Sequence, residues 1–169
     1  PYLSQGEFFS EYGSYDVKIT LPANYTVGAT GDLVPGSEDN DAEKSRLDSL
    51  AADTKMWVKN QGWKDAENTF PESSQRTKTL HYRQDNVHDF AWFADKRYKV
   101  LRGTVVLPRD KRKVRTWAMF TPEEGELWQK APEYLHDATY YYSLWNGNYP
   151  YNQVTAVDGT ISAGGGMEY

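Results

Sequence analysis

The first clear pattern along the chain is an alternation of apolar and polar residues from Tyr15 to Leu21, with the sequence YDVKITL. Successive side chains of a β-strand point to opposite faces, so this segment predicts a strand with one apolar face. The tripeptide PAN at 22–24 predicts a turn, and YTVGATG predicts a second strand that returns from it. The ordered part of the chain therefore begins as β-structure.

A polar segment follows, and its second half predicts a helix. The apolar positions that recur there at steps of three or four residues are Leu47, Leu50, Ala51 and either Met56 or Trp57. The acidic start of this stretch favours a helix, because carboxylates stabilise the positive end of the helix dipole. We expect a helix from about Asp41 to near Gly62.

Four further β-segments are predicted before residue 121, with the sequences TKTLHYRQ, VHDFAWFA, YKVLRGTVVL and KVRTWAMF. The breaks DKRYK and PRDKRK predict hairpin connections, and the charges of RDKRK fit a solvated hairpin tip. In the second segment Phe90 and Trp92 fall on one face, and Val87, Ala91 and Phe93 on the other. A strand that is apolar on both faces fits the inside of a sandwich.

The pattern changes at Thr121, where a helix start is predicted. Thr121 fits an N-cap, Pro122 the first helical residue, and Glu124 the far end of a capping box. The apolar stripe of this helix of about 20 residues consists of Leu127, Ala131, Leu135, Ala138, Tyr142 and Trp145. Pro132 is expected either to kink the helix or to mark its true start.

After this helix, YNQVTAV predicts a strand, Asp158-Gly159 a turn, and TISAGGGMEY the beginning of another strand. The element order predicts an α+β chain that is mainly β, with an antiparallel β-sandwich first. We expect two domains, a β-rich one at 1–120 and the beginning of a second at 121–169.

Composition narrows the class of protein. Hydrophobic residues at 38% and aromatic residues at 15% predict a packed globular chain. The net charge of -5 argues against a nucleic-acid partner, and no apolar run approaches the roughly 20 residues that span a bilayer. The chain has no cysteine, so it offers neither disulfides nor thiolate ligands. The compartment stays open, with a periplasmic or secreted location favoured over the cytoplasm.

The glycine-rich end, Gly164 to Gly166 followed by Met167 and Glu168, allows two interpretations. It fits a flexible terminal tail. It also fits a strand along which another backbone approaches closely, because glycine leaves room for such an approach. The second interpretation accounts for a methionine and a glutamate directly behind the glycines.

The stretch from Gly165 to Tyr169 resembles the GxMEN exopeptidase signature of the aminopeptidase-N family of zinc metallopeptidases. The order of elements is similar as well: a β-rich domain, a long helix that ends in a YxYP-like segment (NGNYPYNQVTAV), a strand, and then the glycine-rich strand. DNVHDFAWFAD also looks like part of the β-domain of bacterial members. The resemblance covers most of the chain from about Tyr15.

The resemblance implies a saddle-like, sandwich-type β-domain followed by the opening of a thermolysin-like catalytic domain. It implies that the main chain at Gly165 and Gly166 pairs with a peptide substrate as an added strand, with Met167 packed behind it. The carboxylate of Glu168 would bind the free α-ammonium group of that substrate. Tyr169 stands where the common motif has asparagine, which puts the fine positioning of the amine in doubt.

The zinc chemistry of the family needs a His-Glu-x-x-His helix and a further glutamate. The three histidines here, His81, His88 and His136, are never four residues apart, so we expect structural or surface roles for them. No catalytic residue and no metal ligand is predicted within 1–169. The resemblance implies Zn²⁺ in the longer parent protein, and we expect this piece alone to be inactive.

Three functions remain open. The chain is a piece of a zinc aminopeptidase, a self-contained β-sandwich module that binds carbohydrate or protein, or a piece of a family member that has lost catalysis. The first predicts a peptide substrate and the remainder of its own polypeptide as partners. If the strand from Tyr15 to Leu21 normally pairs with a strand before Pro1, its open edge predicts dimerisation.

Overall fold

The computed structural model describes residues 11–67 and 69–159. Within them the chain forms eight strands and three α-helices. In chain order these are β1 Gly13–Pro22, β2 Thr26–Ala29, β3 Asp32–Leu33, α1 Glu38–Lys59, β4 Thr77–Val87, β5 Trp92–Asp95, β6 Lys99–Val106, β7 Lys113–Phe120, α2 Gly125–Trp128, α3 Ala131–Asn146 and β8 Gln153–Val157. Two 3₁₀ turns, Gly62–Asp65 and Pro122–Glu124, complete the described elements.

The strands form three small sheets, with the orders β1-β4-β3, β2-β5 and β6-β7-β8. All pairs are antiparallel except β7 and β8, which are parallel and are connected through α3. The predicted α+β class is confirmed. Helix and strand occur in comparable amounts, so the expectation of a mainly β chain was too strong for the described residues.

The sheet β6-β7-β8 is covered on both faces, because alternate residues of its strands are apolar in both directions. On one face Val100, Trp117 and Met119 pack against Leu47 and Ala51 of α1. On the other face the core residues that pack against α3 and its flanks are Leu101, Ala118, Phe120, Val105, Leu107 and Val114. This sheet is therefore the middle layer between α1 and α3.

The first predicted strand is confirmed as β1, which pairs with β4 along its length. The turn after it is also confirmed, since the amide of Tyr25 donates to the carbonyl of Pro22 at 3.1 Å. The second strand does not return along β1, however. Strand β2 pairs with β5, and all its residues are buried because it packs onto β8: a Cβ on Gly28 would lie 2.7 Å from Val157.

The prediction that residues 87–94 form one strand inside a sandwich was wrong. Val87 ends β4, the chain becomes extended again only at Trp92–Asp95 as β5, and the Trp92 side chain is 50% exposed. Side-chain hydrogen bonds lie before it: the Asp89 carboxylate accepts from the amide of its neighbour Phe90 at 2.7 Å, and the hydroxyl of Thr30, which follows β2, accepts from the amide of Ala91 at 3.1 Å.

The two predicted hairpins had different outcomes. PRDKRK connects β6 and β7 as an antiparallel pair, which confirms that hairpin. DKRYK does not form one, because β5 pairs with β2 whereas β6 pairs with β7. The side chain of Arg97 in this break instead binds Asp95, and the chain passes from one sheet to another.

Helix α1 is confirmed, although it is longer than expected at its start. It begins at Glu38 behind the N-cap Ser37, whose hydroxyl accepts from the amide of Asn40 at 3.2 Å. Three acidic residues lie in its first turn. It ends at Lys59, and Gly62 follows where the chain passes so close to Trp57 that a Cβ would lie 2.2 Å from the indole nitrogen.

The second predicted helix is broken. Thr121 makes no side-chain cap, and its hydroxyl instead donates to Asp158 Oδ2 at 2.8 Å. A 3₁₀ turn and the four-residue α2 precede α3, and Pro132 lies in the first turn of α3. Of the two roles expected for Pro132, it therefore marks the true start of the helix.

The apolar stripe predicted for that helix was largely wrong. Leu127, Tyr142 and Trp145 are 74%, 65% and 68% exposed. Of the stripe only Ala131 and Leu135 face the core, and the inner face of α3 continues through Thr139 and Ser143 rather than through Ala138, Tyr142 and Trp145. The buried residues Ala131, Thr139 and Ser143 are small, because α3 lies close to the sheet at Gly103.

The strand after α3 is confirmed as β8. The boundary predicted at residue 120 falls between β7 and α3, and strands from both of its sides lie in one sheet. The division into 1–120 and 121–169 stays a prediction.

Candidate functional site

The predicted substrate-binding residues Gly165, Gly166, Met167 and Glu168 lie outside the described residues, as does Tyr169. Their role stays a prediction. The described part of the chain ends at Gly159, six residues before Gly165, so the contacts of Asp158 show how the chain is held at its last described residues.

Three residues hold Asp158 by hydrogen bonds. Its amide donates to the carbonyl of Met119 on β7 at 2.8 Å. Its carboxylate oxygen Oδ2 accepts from the amide and the hydroxyl of Thr121, at 3.2 and 2.8 Å. The hydroxyl of Tyr98 donates to its carbonyl oxygen at 2.9 Å. Both the backbone and the side chain of Asp158 are therefore fixed.

The guanidinium group of Arg97 lies close enough to Asp158 for their charges to interact. Arg97 donates from Nε and Nη2 to the two oxygens of Asp95, at 3.1 and 2.7 Å, and lies 3.6 Å from Glu123. Its guanidinium carbon is 3.7 Å from the centre of the Phe70 ring. The hydrogen bonds to Asp95 raise the pKa of Arg97, and the charges of Glu123 and Asp158 act in the same direction. A permanent cation therefore lies among three carboxylates.

Burial sets the protonation of the neighbouring groups. Desolvation raises the pKa of Tyr98 to about 12, helped by the charges of Asp95 and Asp158, so its hydroxyl remains a donor at neutral pH. Desolvation alone would raise the pKa of Asp95, but the hydrogen bonds from Arg97 outweigh it, and the pKa is lowered. The cluster is thus an ionised, hydrogen-bonded anchor at the end of β8.

A groove runs beside β8. It has a volume of about 310 Å³ and is lined on one side by Gly31, Val87 and Phe93, and on the other by Tyr149 and Val157. Among the described strands β8 has a partner on one side only, so its other edge carries unpaired backbone groups. Such an edge can accept a further strand by main-chain hydrogen bonds.

The three histidines do not come together. His81 Nε2 lies 2.8 Å from Asp16 on neighbouring strands, His136 Nδ1 lies 3.1 Å from Asp137 on α3, and His88 packs edge-on against Tyr12. Across 11–67 and 69–159 no group of three or more potential ligands surrounds a metal position. The described residues do not fit a zinc ion. Nor is any helix in this part of the chain both long and apolar enough to cross a membrane.

Comparison with known proteins identifies no relative of the chain. No protein-family model matches it, and the search of curated proteins finds no significant match. The resemblance to the aminopeptidase-N family therefore rests on the residues quoted above.

Sequence reasoning missed the anchor around Asp158. Asp158 was predicted only as part of a turn, Thr121 as a helix cap, and Arg97 as part of a hairpin loop. No local signal could have found it, because Thr121 and Tyr98 lie 37 and 60 residues from Asp158 along the chain.

Proposed function

We propose that this chain is part of a zinc-dependent aminopeptidase, to which it contributes the glycine-rich strand that binds the N-terminal amine of a peptide substrate. The zinc ligands and the general base would lie in the polypeptide past Tyr169. The observation that carries the proposal is the motif at Gly165 to Glu168, placed behind a helix and a strand that are present as α3 and β8.

The chemistry assigned to the segment is recognition of the substrate, not bond cleavage. The Glu168 carboxylate accepts hydrogen bonds from the α-ammonium group, and in a partly desolvated cleft this contact favours peptides with a free N-terminus. Gly165 and Gly166 lack a Cβ, so the substrate backbone can approach and pair as a strand. Met167 packs behind the strand. Zinc, when bound in the parent, supplies activation of water for hydrolysis.

The anchor around Asp158 supports this role. A carboxylate that selects amines must be held within about 0.5 Å of its productive position. Asp158 is bonded through its amide, carbonyl and carboxylate, seven residues before Gly165. The last described residue pair before the motif therefore offers a fixed point from which the segment can be positioned.

The outer surface of α3 supports the remainder of the same polypeptide as a partner. Its exposed apolar side chains are Tyr134, Tyr141, Tyr142, Leu144 and Trp145. Contiguous apolar patches of this kind mark surfaces that bind protein. We assign this surface, the α3 outer face, to contact with the rest of a thermolysin-like catalytic domain, and residues before 121 to a saddle-like β-domain.

The test is a chain extended past Tyr169, assayed for bound zinc and for hydrolysis of amino-acid anilides. We expect one zinc per chain and activity in the extended protein. Glu168→Gln should raise KM for free-amine substrates by about 10- to 100-fold, the value of a lost charge-assisted hydrogen bond. Glu126→Gln, at an exposed position of α2, is the matched control and should leave KM unchanged.

Two results would remove the proposal. An extended chain without zinc and without activity would exclude the peptidase. An active enzyme whose KM is unaffected by Glu168→Gln would exclude the amine-binding role.

A second function is favoured by the same α3 outer face. A β-rich binding module could use the exposed rings of Tyr141, Tyr142 and Trp145 to stack on sugar rings or on a protein. Binding of a defined glycan by this chain, lost in Trp145→Ala, together with an extended chain that lacks zinc, would select this function.

Dimerisation through β1 is a further proposal about partners. Strand β1 is at the edge of its sheet among the described strands, so one side of it offers unpaired backbone groups. We expect a concentration-dependent dimer of this chain in sedimentation. A monomer at all concentrations would exclude it.

A further inference from the structure

A second cleft opens between α1, the strands β2 and β3, and the sheet β6-β7-β8, and it adjoins the groove beside β8, with which it shares Gly28, Ala29, Gln153 and Thr155. Its volume of about 520 Å³ falls within the range of roughly 300–1,000 Å³ that is typical of small-molecule sites. Its charged lining consists of Lys44 on α1, Lys113 and Arg115 on β7, and Asp32 on β3. In a chain of net charge -5, this cleft carries an excess of positive charge.

The anionic and amide groups of the cleft are already engaged. Asp32 Oδ2 accepts from Asn152 Nδ2 at 2.8 Å, and Gln153 Nε2 donates to the carbonyl of Gly31. By contrast, neither Lys44 nor Lys113 nor Arg115 forms an ion pair within 11–67 and 69–159. These three cationic donors therefore remain available in the cleft, and they suit an anion.

Beneath these cations the cleft is apolar. Its floor is formed by Val27, Leu47, Tyr82, Trp117 and Met119, each at most 5% exposed. An apolar group that enters the cleft leaves water and meets these side chains, so the gain comes from burying the apolar surface of the ligand itself. The Arg115 guanidinium carbon lies 5.8 Å from the Trp117 ring centre, which places charge directly above the apolar floor.

We propose that this cleft binds an amphipathic carboxylate, a single anionic head attached to an apolar body. The head is bound by Arg115 with Lys44 and Lys113 around it, and the body lies on Trp117 and Met119. Arg115 suits this head because a guanidinium binds a carboxylate through two parallel hydrogen bonds. The site is independent of the proposed peptidase function and uses none of the residues assigned to it.

The test is calorimetric titration of this chain with octanoate, octan-1-ol and inorganic phosphate. Octanoate should bind with a Kd in the submillimolar range, and octan-1-ol at least about 10-fold more weakly, since it lacks the charge. Phosphate should bind more weakly than octanoate, because it has no apolar body. Equal affinity for octanoate and octan-1-ol would overturn the proposal, as would phosphate binding as tightly as octanoate.

Variants separate this site from other surfaces. Arg115→Gln should weaken octanoate about 10-fold. Thr104→Trp, which places a large side chain at the exposed rim of the cleft, should weaken octanoate at least as much. Lys18→Gln, an exposed cation of β1 outside the cleft, is the control and should change nothing. Thermal unfolding checks that each variant is folded. Unchanged affinity in Arg115→Gln, or an equal loss in Lys18→Gln, would overturn the assignment.

Discussion

The two long helices differ in a way that their sequences do not suggest. Helix α1 is rich in charged residues, yet it buries Asn40, Glu43 and Thr54 at 2% exposure each. Helix α3 is rich in aromatic residues, yet it leaves Tyr142 and Trp145 about two-thirds exposed. Burial of a side chain thus depends on what lies opposite it, and the two helices face different surroundings.

Helix α1 can bury polar groups because β4 and its neighbours satisfy them. The side-chain amide of Asn40 donates from Nδ2 to the carbonyls of Val34 and His81, at 2.6 and 3.0 Å. Its Oδ1 accepts from the backbone amide of His81 at 3.0 Å. Lys78 Nζ donates to Glu43 Oε2 at 2.6 Å and to the carbonyl of Tyr25 at 2.5 Å. Satisfied polar groups of this kind fix the position of a helix more specifically than apolar contact does.

The largest predicted effect concerns the buried ion pair of α1. Glu43→Ala removes the partner of Lys78, whose side chain is 5% exposed, and leaves a buried cation without its counter-charge. We expect a loss of about 3–5 kcal/mol in the free energy of unfolding, measured by urea denaturation.

The matched control is an exposed ion pair between Asp48 of α1 and a residue of β6. Asp48 and Arg102 form an ion pair in which both side chains are 44% exposed, so Asp48→Ala should cost at most about 1 kcal/mol. The double variant Glu43→Leu/Lys78→Met should recover most of the lost stability. Equal losses in the free energy of unfolding for Glu43→Ala and Asp48→Ala would mean that the buried ion pair of α1 stabilises the fold no more than an exposed one.

Strands and helices were predicted where their pattern depends on neighbours in sequence, and were missed where it depends on residues distant along the chain. Local periodicity located β1, α1, β6, β7 and β8, because their patterns are set by neighbours in sequence. Sequence could not predict that β2 pairs with β5, since partner choice depends on Gly28 packing against a distant strand. The inner face of α3 was predicted only at Ala131 and Leu135, because the inner residues that follow, Thr139 and Ser143, are small and polar and give no periodic apolar signal.

The next prediction uses one tyrosine of raised pKa beside each helix, the buried Tyr98 and the partly buried Tyr149. Burial raises the pKa of Tyr98, beside α1, and of Tyr149, beside α3, to about 12 in each case. A raised pKa means that the folded state keeps a proton which the unfolded state loses above pH 10. The stabilisation is complete below pH 10 and is lost as the pH rises to 12, by on the order of 2–3 kcal/mol for Tyr98.

Urea midpoints between pH 8 and 12 test this slope. Tyr98→Phe and Tyr149→Phe should each flatten the loss above pH 10. Burial lowers the pKa of Lys78, so this lysine makes the stability rise with pH below about 10.5, opposite to the effect of the tyrosines. The slope of each variant is therefore compared with that of the unmodified chain, in which Lys78 contributes equally. A slope unchanged in Tyr98→Phe would show that this tyrosine is not desolvated beneath α1.

A smaller loss in the free energy of unfolding is predicted when one hydroxyl is removed from the inner face of each helix. Thr54 on α1 accepts from the amide of Val100 at 3.1 Å, and Ser143 on α3 accepts from the amide of Tyr149 at 3.0 Å. Thr54→Val and Ser143→Ala each leave an amide without its acceptor, at a cost of about 1–2 kcal/mol. Similar losses in urea unfolding would show that the helices are equally well anchored inside, and that they differ only in their outer surfaces.

The smallest predicted effect decides what the α3 outer face is for. In this chain Tyr142→Gln and Trp145→Gln should each change the free energy of unfolding by less than about 0.5 kcal/mol, because both side chains already contact water. In a chain extended past Tyr169 the same substitutions should cost several times more, since a covering domain would desolvate them. Urea unfolding of both chains gives the comparison. Equal, small losses in both would leave this face uncovered in the longer protein, and would favour a surface that binds a separate partner.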